Sequence, residues 1–133
     1  MNLRDWIIHH EGVRLLPYKC PAGKYTIGVG RNLTDVGITI EEAYYLLDKD
    51  IERCARELEP YSWYSDQPAK IQDALVNMCF NMGLPRLLRF KRMISCIEIH
   101  QYGDAAEEAL DSRWARQVPS RARDVAKVMR SAC

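Results

Sequence analysis

The chain has no run of apolar residues near the ~20 needed to span a bilayer, no internal repeat, no low-complexity tract and no long linker. It has no surplus of charge of one sign either: nineteen Lys plus Arg stand against eighteen Asp plus Glu, a formal net charge of +1. A polycation built to coat nucleic acid is thereby excluded, and no nucleic-acid partner is expected. Five cysteines, an odd number, include no CxxC pair and no tight Cys/His ligand spacing, so neither a disulfide framework nor a zinc module is signalled. His9-His10-Glu11 is not the HExxH zinc signature. Gly28-Val29-Gly30 lacks the third glycine of a dinucleotide fold, and Gly23-Lys24 is followed by Tyr25, which removes a P-loop. No metal and no cofactor is expected.

What is present suits one compact domain: 133 residues, 47% of them hydrophobic and 28% charged. Charge is uneven along the chain, with nine basic and twelve acidic residues up to Pro85 and ten basic against six acidic from Arg86 onward. A basic second half suits a polyanionic substrate such as a bacterial wall, although ordinary helical surfaces carry such asymmetries too. Thiols without pairing and a start free of an export pattern point to synthesis in the cytoplasm, without stable membrane insertion.

Leu3, Trp6, Ile7 and His10 recur at helical spacing after a capping Asn2, and Gly12 is placed to end that helix at Glu11. From Val13 to Leu33 the texture turns to Pro17, Pro21-Ala22-Gly23 and Tyr25-Thr26-Ile27-Gly28-Val29-Gly30, which predicts a small hairpin or three-stranded sheet. Thr39 and Glu42 form a capping box. Behind it Ile40, Ala43, Tyr44, Leu47, Ile51, Cys54, Ala55 and Leu58 trace one stripe of a long helix that stops at Pro60. Pro68 suits the first turn of a further helix through Ile71, Ala74, Leu75, Met78, Cys79 and Met82, stopped by Gly83 and Pro85, and this helix is expected to be the most buried. Helical patterns over Leu87 to Ile97, Ala105 to Leu110 and Arg121 to Met129 follow, punctuated by Tyr102-Gly103 and Val118-Pro119. The class is α+β, mainly α.

Glu11 is the first residue whose placement asks for a chemical reason. A carboxylate in the last turn of a helix meets the negative end of the helix dipole, which disfavours its charged form. A carboxyl kept protonated is what a general acid in glycoside cleavage requires, while a solvated surface glutamate is the plain alternative. Cys20, on a turn between Tyr18 and Pro21, and Thr26, opening a strand, are placed to face Glu11 across a hairpin, where a thiol and a hydroxyl could position water. Taken singly, such a cysteine is a small buried hydrophobe and such a threonine a β former.

The spacing of these three residues carries more than any one of them. Glu11 followed by Gly12, with eight residues between Glu11 and Cys20 and five more between Cys20 and Thr26, then Ile27-Gly28-Val29-Gly30, resembles the T4-type phage lysozyme family, which takes Asp or Cys at the middle position. The similarity continues through the Thr39 to Leu58 helix, the segment Asn77-Met78-Cys79-Phe80-Asn81-Met82-Gly83, and Ser112-Arg113-Trp114 with Gln117, Pro119, Arg121 and Ala122.

The resemblance implies a single lysozyme-like domain over residues 1–133. It would comprise a β-containing lobe at about 13–38, a connecting helix at about 40–58, and a helical lobe at about 60–133 joined by the N-terminal helix. It implies a muramidase, a phage endolysin that hydrolyses the β-1,4 bond between N-acetylmuramic acid and N-acetylglucosamine in peptidoglycan to lyse the host. By the same carry-over Glu11 is the proton donor, Cys20 stands where a carboxylate often orients or activates the attacking water, and Thr26 helps hold that water. Arg121 matches an arginine that pairs with the catalytic glutamate, and its charge would oppose the effect of the helix end. Trp114, Asn81 and Tyr18 match positions near the sugar-binding cleft. Arg31 stands where the family has a histidine, with Asp50 matching that residue's acidic partner, so an Arg31 to Asp50 ion pair is expected. The resemblance further implies a monomer that depends on a holin-type membrane lesion to pass from host cytoplasm to wall.

Two other readings stay open from sequence. One is a catalytically inactive peptidoglycan-binding relative in which Cys20 marks a lost carboxylate. The other is a cysteine hydrolase pairing Cys20 with His9 or His10, which would need an imidazole within hydrogen-bond reach of the thiol.

Overall fold

A computed structural model describes residues 2–132; Cys133 lies outside them. The architecture is mainly helical with one small antiparallel sheet, the α+β class expected. In chain order the elements are α1 (Leu3–Glu11), β1 (Arg14–Lys19), β2 (Tyr25–Gly28), β3 (Arg31–Asn32), α2 (Ile40–Leu58), α3 (Ser62–Ser65), α4 (Ala69–Met82), α5 (Leu84–Leu87), α6 (Lys91–Glu98), α7 (Tyr102–Leu110), α8 (Arg113–Gln117) and α9 (Pro119–Ser131). The chain divides into two compact units, Met1–Leu46 and Leu47–Cys133, with the division inside α2.

In the first unit the Asn2 side chain accepts a hydrogen bond from Asp5 N at 2.8 Å, satisfying one free amide of α1. Gly12 ends the helix at φ +71°, its own N–H reaching back to Ile8 O. The sheet order is β1-β2-β3, with Tyr18 opposite Thr26 on one side and Asn32 opposite Thr26 on the other. Cross-strand partners project from the same face, so Tyr18, Thr26 and Asn32 share one. Thr26, on the central strand, is the sole buried side chain among the described residues of this unit. The capping box forms as expected: Glu42 N donates to Thr39 Oγ1 at 3.1 Å and Thr39 N donates to Glu42 Oε1 at 2.9 Å.

The second unit holds the core. Leu58, Ile71, Leu75, Met78, Leu87, Met93, Ile97 and Met129 are its large, fully buried side chains. α4 contributes Ile71, Ala74, Leu75, Met78 and Cys79 along one stripe, in keeping with the period of its sequence. Among the described residues no helix is long and apolar enough to cross a membrane.

Several boundaries differ from the expected ones for identifiable reasons. The α2 stripe enters the core only at Cys54 and Leu58, with Ala55 half-buried, while Ile40, Tyr44, Leu47 and Ile51 are exposed. Pro68 is the N-cap of α4 rather than a residue of its first turn; with extended ψ it offers its carbonyl to Ile71 and Gln72. The single helix expected over Leu87 to Ile97 is two, because α5 restarts directly after Gly83 with Pro85 in its first turn and closes before Phe90. Tyr102-Gly103 opens α7 instead of interrupting it. The Tyr102 ring is buried, and its hydroxyl donates to Gln67 Oε1 at 2.6 Å, which holds that turn against α3 and α4 despite the glycine. α8, with Ser112 Oγ accepting from Ala115 N, and the four-residue α3 are additional short helices.

Candidate active site

Glu11 is the last residue of α1, exposed, and its side chain lies over the turn between β2 and β3. A Cβ placed on Gly30 would stand 2.8 Å from Glu11 Oε2 and 3.0 Å from Cδ, so the carboxyl group rests on the bare Cα of Gly30. Gly30 also has φ +68°, a region that side chains rarely adopt. Two independent constraints thus ask for glycine at one position.

At the opposite end of β2 the hairpin turn carries Cys20. Cys20 N donates to Lys24 O at 2.9 Å and Gly23 N donates to Cys20 O at 2.8 Å, which closes a tight loop around the thiol. Backbone hydrogen bonds from Lys24 and then Ala22 hold the thiol below its ordinary range, against a smaller opposing effect of desolvation, and the Thr26 side chain adds to the lowering. Thr26 Oγ1 also donates to Lys24 O at 3.0 Å. Cys20 and Thr26 thus share the Lys24 turn. The sulfur's partners are this turn and Thr26, not an imidazole; His10 is engaged instead with Trp6 and His9, ring centroids 5.7 and 5.6 Å away. Tyr18, cross-strand from Thr26, carries the Arg14 guanidinium over its ring at 4.4 Å.

The Arg31 to Asp50 ion pair does not form. Arg31 Nη1 donates to Glu42 Oε1 at 2.7 Å and to Gly37 O at 3.1 Å, while Asp50 pairs with Arg53 one turn along α2 at 3.3 Å. The capping box explains the exchange: it turns the Glu42 side chain back toward Thr39 and Gly37, into the path of Arg31, two helical turns before Asp50. The Arg31 guanidinium first, and Thr39 N next, hold the Glu42 carboxyl down at about 2.

The second unit holds the remaining predicted residues. Trp114 is buried; its Nε1 donates to Asn81 Oδ1 at 2.8 Å, and Phe90 meets its ring edge-on at a centroid distance of 6.2 Å. Trp114 and Phe90 also line a cavity of about 570 Å³ whose wall includes Arg86, Arg89, Lys91 and Arg92. Arg121 lies in the first turn of α9, in a depression with Asn77, Ser120 and Asp124.

Comparison with known proteins adds the deciding observation: residues 8–129 match the phage lysozyme family. The chain belongs to that family. It is thereby a glycoside hydrolase of the lysozyme class. Probable T4-type lysozyme 1 of Dictyostelium discoideum is 27% identical, over 96% of this chain and 93% of that protein. The endolysin of Acyrthosiphon pisum secondary endosymbiont phage 1 is 28% identical, over 83% and 75%. The pre-baseplate central spike protein Gp5 of Enterobacteria phage T4 is 25% identical, over 97% of this chain and 28% of its own length.

Gly30 lies against the Glu11 carboxyl and Glu42 pairs with Arg31, two contacts that the sequence alone did not indicate. The signal for Gly30 was its place in the Gly28-Val29-Gly30 run. The signal for Glu42 was the capping box itself.

Proposed function

We propose that this chain is a phage endolysin that hydrolyses the β-1,4 bond between N-acetylmuramic acid and N-acetylglucosamine in peptidoglycan, with Glu11 as general acid. The observation that carries the reading is the Glu11 carboxyl seated on Gly30, at one end of a strand whose other end presents the Cys20 and Thr26 pair. In the reaction Glu11 protonates the leaving glycosidic oxygen. A water held by Thr26 attacks the anomeric carbon, and its proton passes to the Cys20 sulfur, whose turn favours the thiolate. Direct attack by the thiolate would instead form a thioglycoside with inversion, and water would then break its C–S bond with a second inversion, giving net retention, so the anomer released tells the two apart.

In this reading Arg121 is a supporting residue of the reaction, and Tyr18, Asn81 and Trp114 are sugar-binding residues. The cavity beside Trp114, where Arg86, Arg89, Lys91, Arg92 and Arg113 outnumber Glu108 and Asp111, suits the carboxylates of wall stem peptides. The enzyme acts as a monomer on the wall after a holin-type lesion releases it from the host cytoplasm.

The test is the rate of turbidity loss of outer-membrane-permeabilised Gram-negative cells. Clearing is expected with the parent, none with Glu11→Gln, and residual clearing with Cys20→Ser. A folded parent that binds walls without clearing them would favour the inactive-relative reading.

A further inference from the structure

Strand β3 is two residues long, Arg31–Asn32, too short for its ladder bonds to the neighbouring strand to fix its position. Its other anchors are side chains. Arg31 Nη1 reaches Glu42 Oε1 at 2.7 Å and Gly37 O at 3.1 Å, and the same Oε1 accepts from Thr39 N at 2.9 Å. One carboxylate oxygen therefore ties together β3, the loop that follows it and the first turn of α2. Immediately before Arg31 is Gly30, on whose Cα the Glu11 carboxyl rests; across from Asn32 is Thr26.

We propose that Arg31 and Glu42 are positioning residues for the reaction: they fix β3, and through it the Gly30 seat of the Glu11 carboxyl and the face on which Thr26 stands. The inference rests on Glu11 being the proton donor. Neither residue needs to touch substrate. A displacement of about 1 Å at a reacting group from a change outside the chemistry lowers turnover by up to about a hundredfold, and the bridge stands one residue from that seat. The bridge also holds its charge over the whole working range, since Arg31 does not titrate there and Glu42 is held down at about 2.

The experiment compares the parent with Glu42→Ala, Arg31→Met and Glu42→Gln in kcat and KM on soluble wall fragments, alongside the NMR signals of the Glu11 side-chain carboxyl and the Gly30 amide. Glu42→Ala and Arg31→Met are expected to lose about tenfold to a hundredfold in kcat with KM within about twofold, and to shift both signals. Glu42→Gln keeps an oxygen acceptor for Thr39 N and Arg31, and is expected to return kcat to within about threefold and leave the signals in place. Parent-like kcat with unmoved signals in folded Glu42→Ala would overturn the proposal; if that variant does not fold, Arg31→Met carries the same test. A parent inactive on wall fragments would instead defeat the functional reading, and the two NMR signals would still decide whether the bridge sets the seat of Glu11.

Discussion

The carboxyl group of Glu11 rests on the Cα of Gly30, so close that a methyl group there would stand 2.8 Å from Oε2. The atom in the way is the free end of a flexible side chain, so the collision is relieved by moving the carboxyl. Fold stability is little affected by that movement; the proton donation proposed for Glu11 is.

Gly30→Ala is accordingly expected to separate activity from stability. The left-handed backbone at φ +68° costs about 1–2 kcal/mol with a side chain present. Lytic rate should fall further than that cost implies, by about a hundredfold, because the general acid is displaced. A thermal melt and a turbidity assay on the same preparation check both halves.

The four described cysteines should react in a fixed order. Cys20 is held low by backbone hydrogen bonds from Lys24 and Ala22, while burial, with Asp104 and Glu108 adding to it, pushes Cys96 up. Burial, with the neighbouring Cys54 next, pushes Cys79 up to about 12. At pH 7 iodoacetamide should modify Cys20 first, then Cys96, with Cys54 and Cys79 protected at 1% and 2% exposure. Peptide mass mapping of a time course reads the order, and a Cys20 slower than Cys96 would contradict the turn's effect.

The Arg31 to Glu42 bridge sets a pH dependence of stability. Glu42 is held at about 2 in the folded chain against an ordinary value near 4.5, so its contribution is fully present above about pH 4.5 and is lost as pH falls toward 2. In Arg31→His a second loss appears on the other side. An imidazole beside Glu42 has its pKa raised, contributes fully below about pH 6.5, and loses that contribution as pH rises through the raised value. Chemical denaturation from pH 3 to 9 should show a parent flat between pH 5 and 9 at this bridge and a variant that weakens toward alkaline pH.

Trp114 serves the core as well as any ligand. Replacing it with Ala removes a buried ring, its edge contact with Phe90 and the donor to Asn81, a loss of about 3–5 kcal/mol. Trp114→Phe keeps most of the packing and removes the donor to Asn81, an exposed residue whose Oδ1 then turns to water, a loss of about 0.5–1.5 kcal/mol. Urea denaturation of both variants gives the comparison.

Much of this architecture was legible in local chemistry. Asn2, Gly12, the Thr39 and Glu42 box and Gly83 each mark a helix end because each satisfies backbone groups within four residues of itself. The meeting of Cys20 and Thr26 follows from one hairpin turn and its register. What escaped depends on contacts distant in sequence. The start of α7 at Tyr102 is secured by Gln67, thirty-five residues earlier, and no local rule predicts that bond. The partner of Arg31 depended on how the loop after β3 returns to the first turn of α2, where the capping box holds Glu42, while Asp50 pairs with Arg53. Gly30 could be read as a turn glycine, but its role as the seat of a carboxyl required the course of α1 above the sheet.

The central claim is that Glu11 donates the proton that breaks the muramyl bond. Purified peptidoglycan digested by the parent and by Glu11→Gln, then reduced with borohydride and hydrolysed, reports which sugar acquired a new reducing end. Muramitol from the parent and none above background from a folded Glu11→Gln is the result the account predicts. Equal muramitol from both proteins, or new peptide amino termini without any reduced sugar, would contradict it.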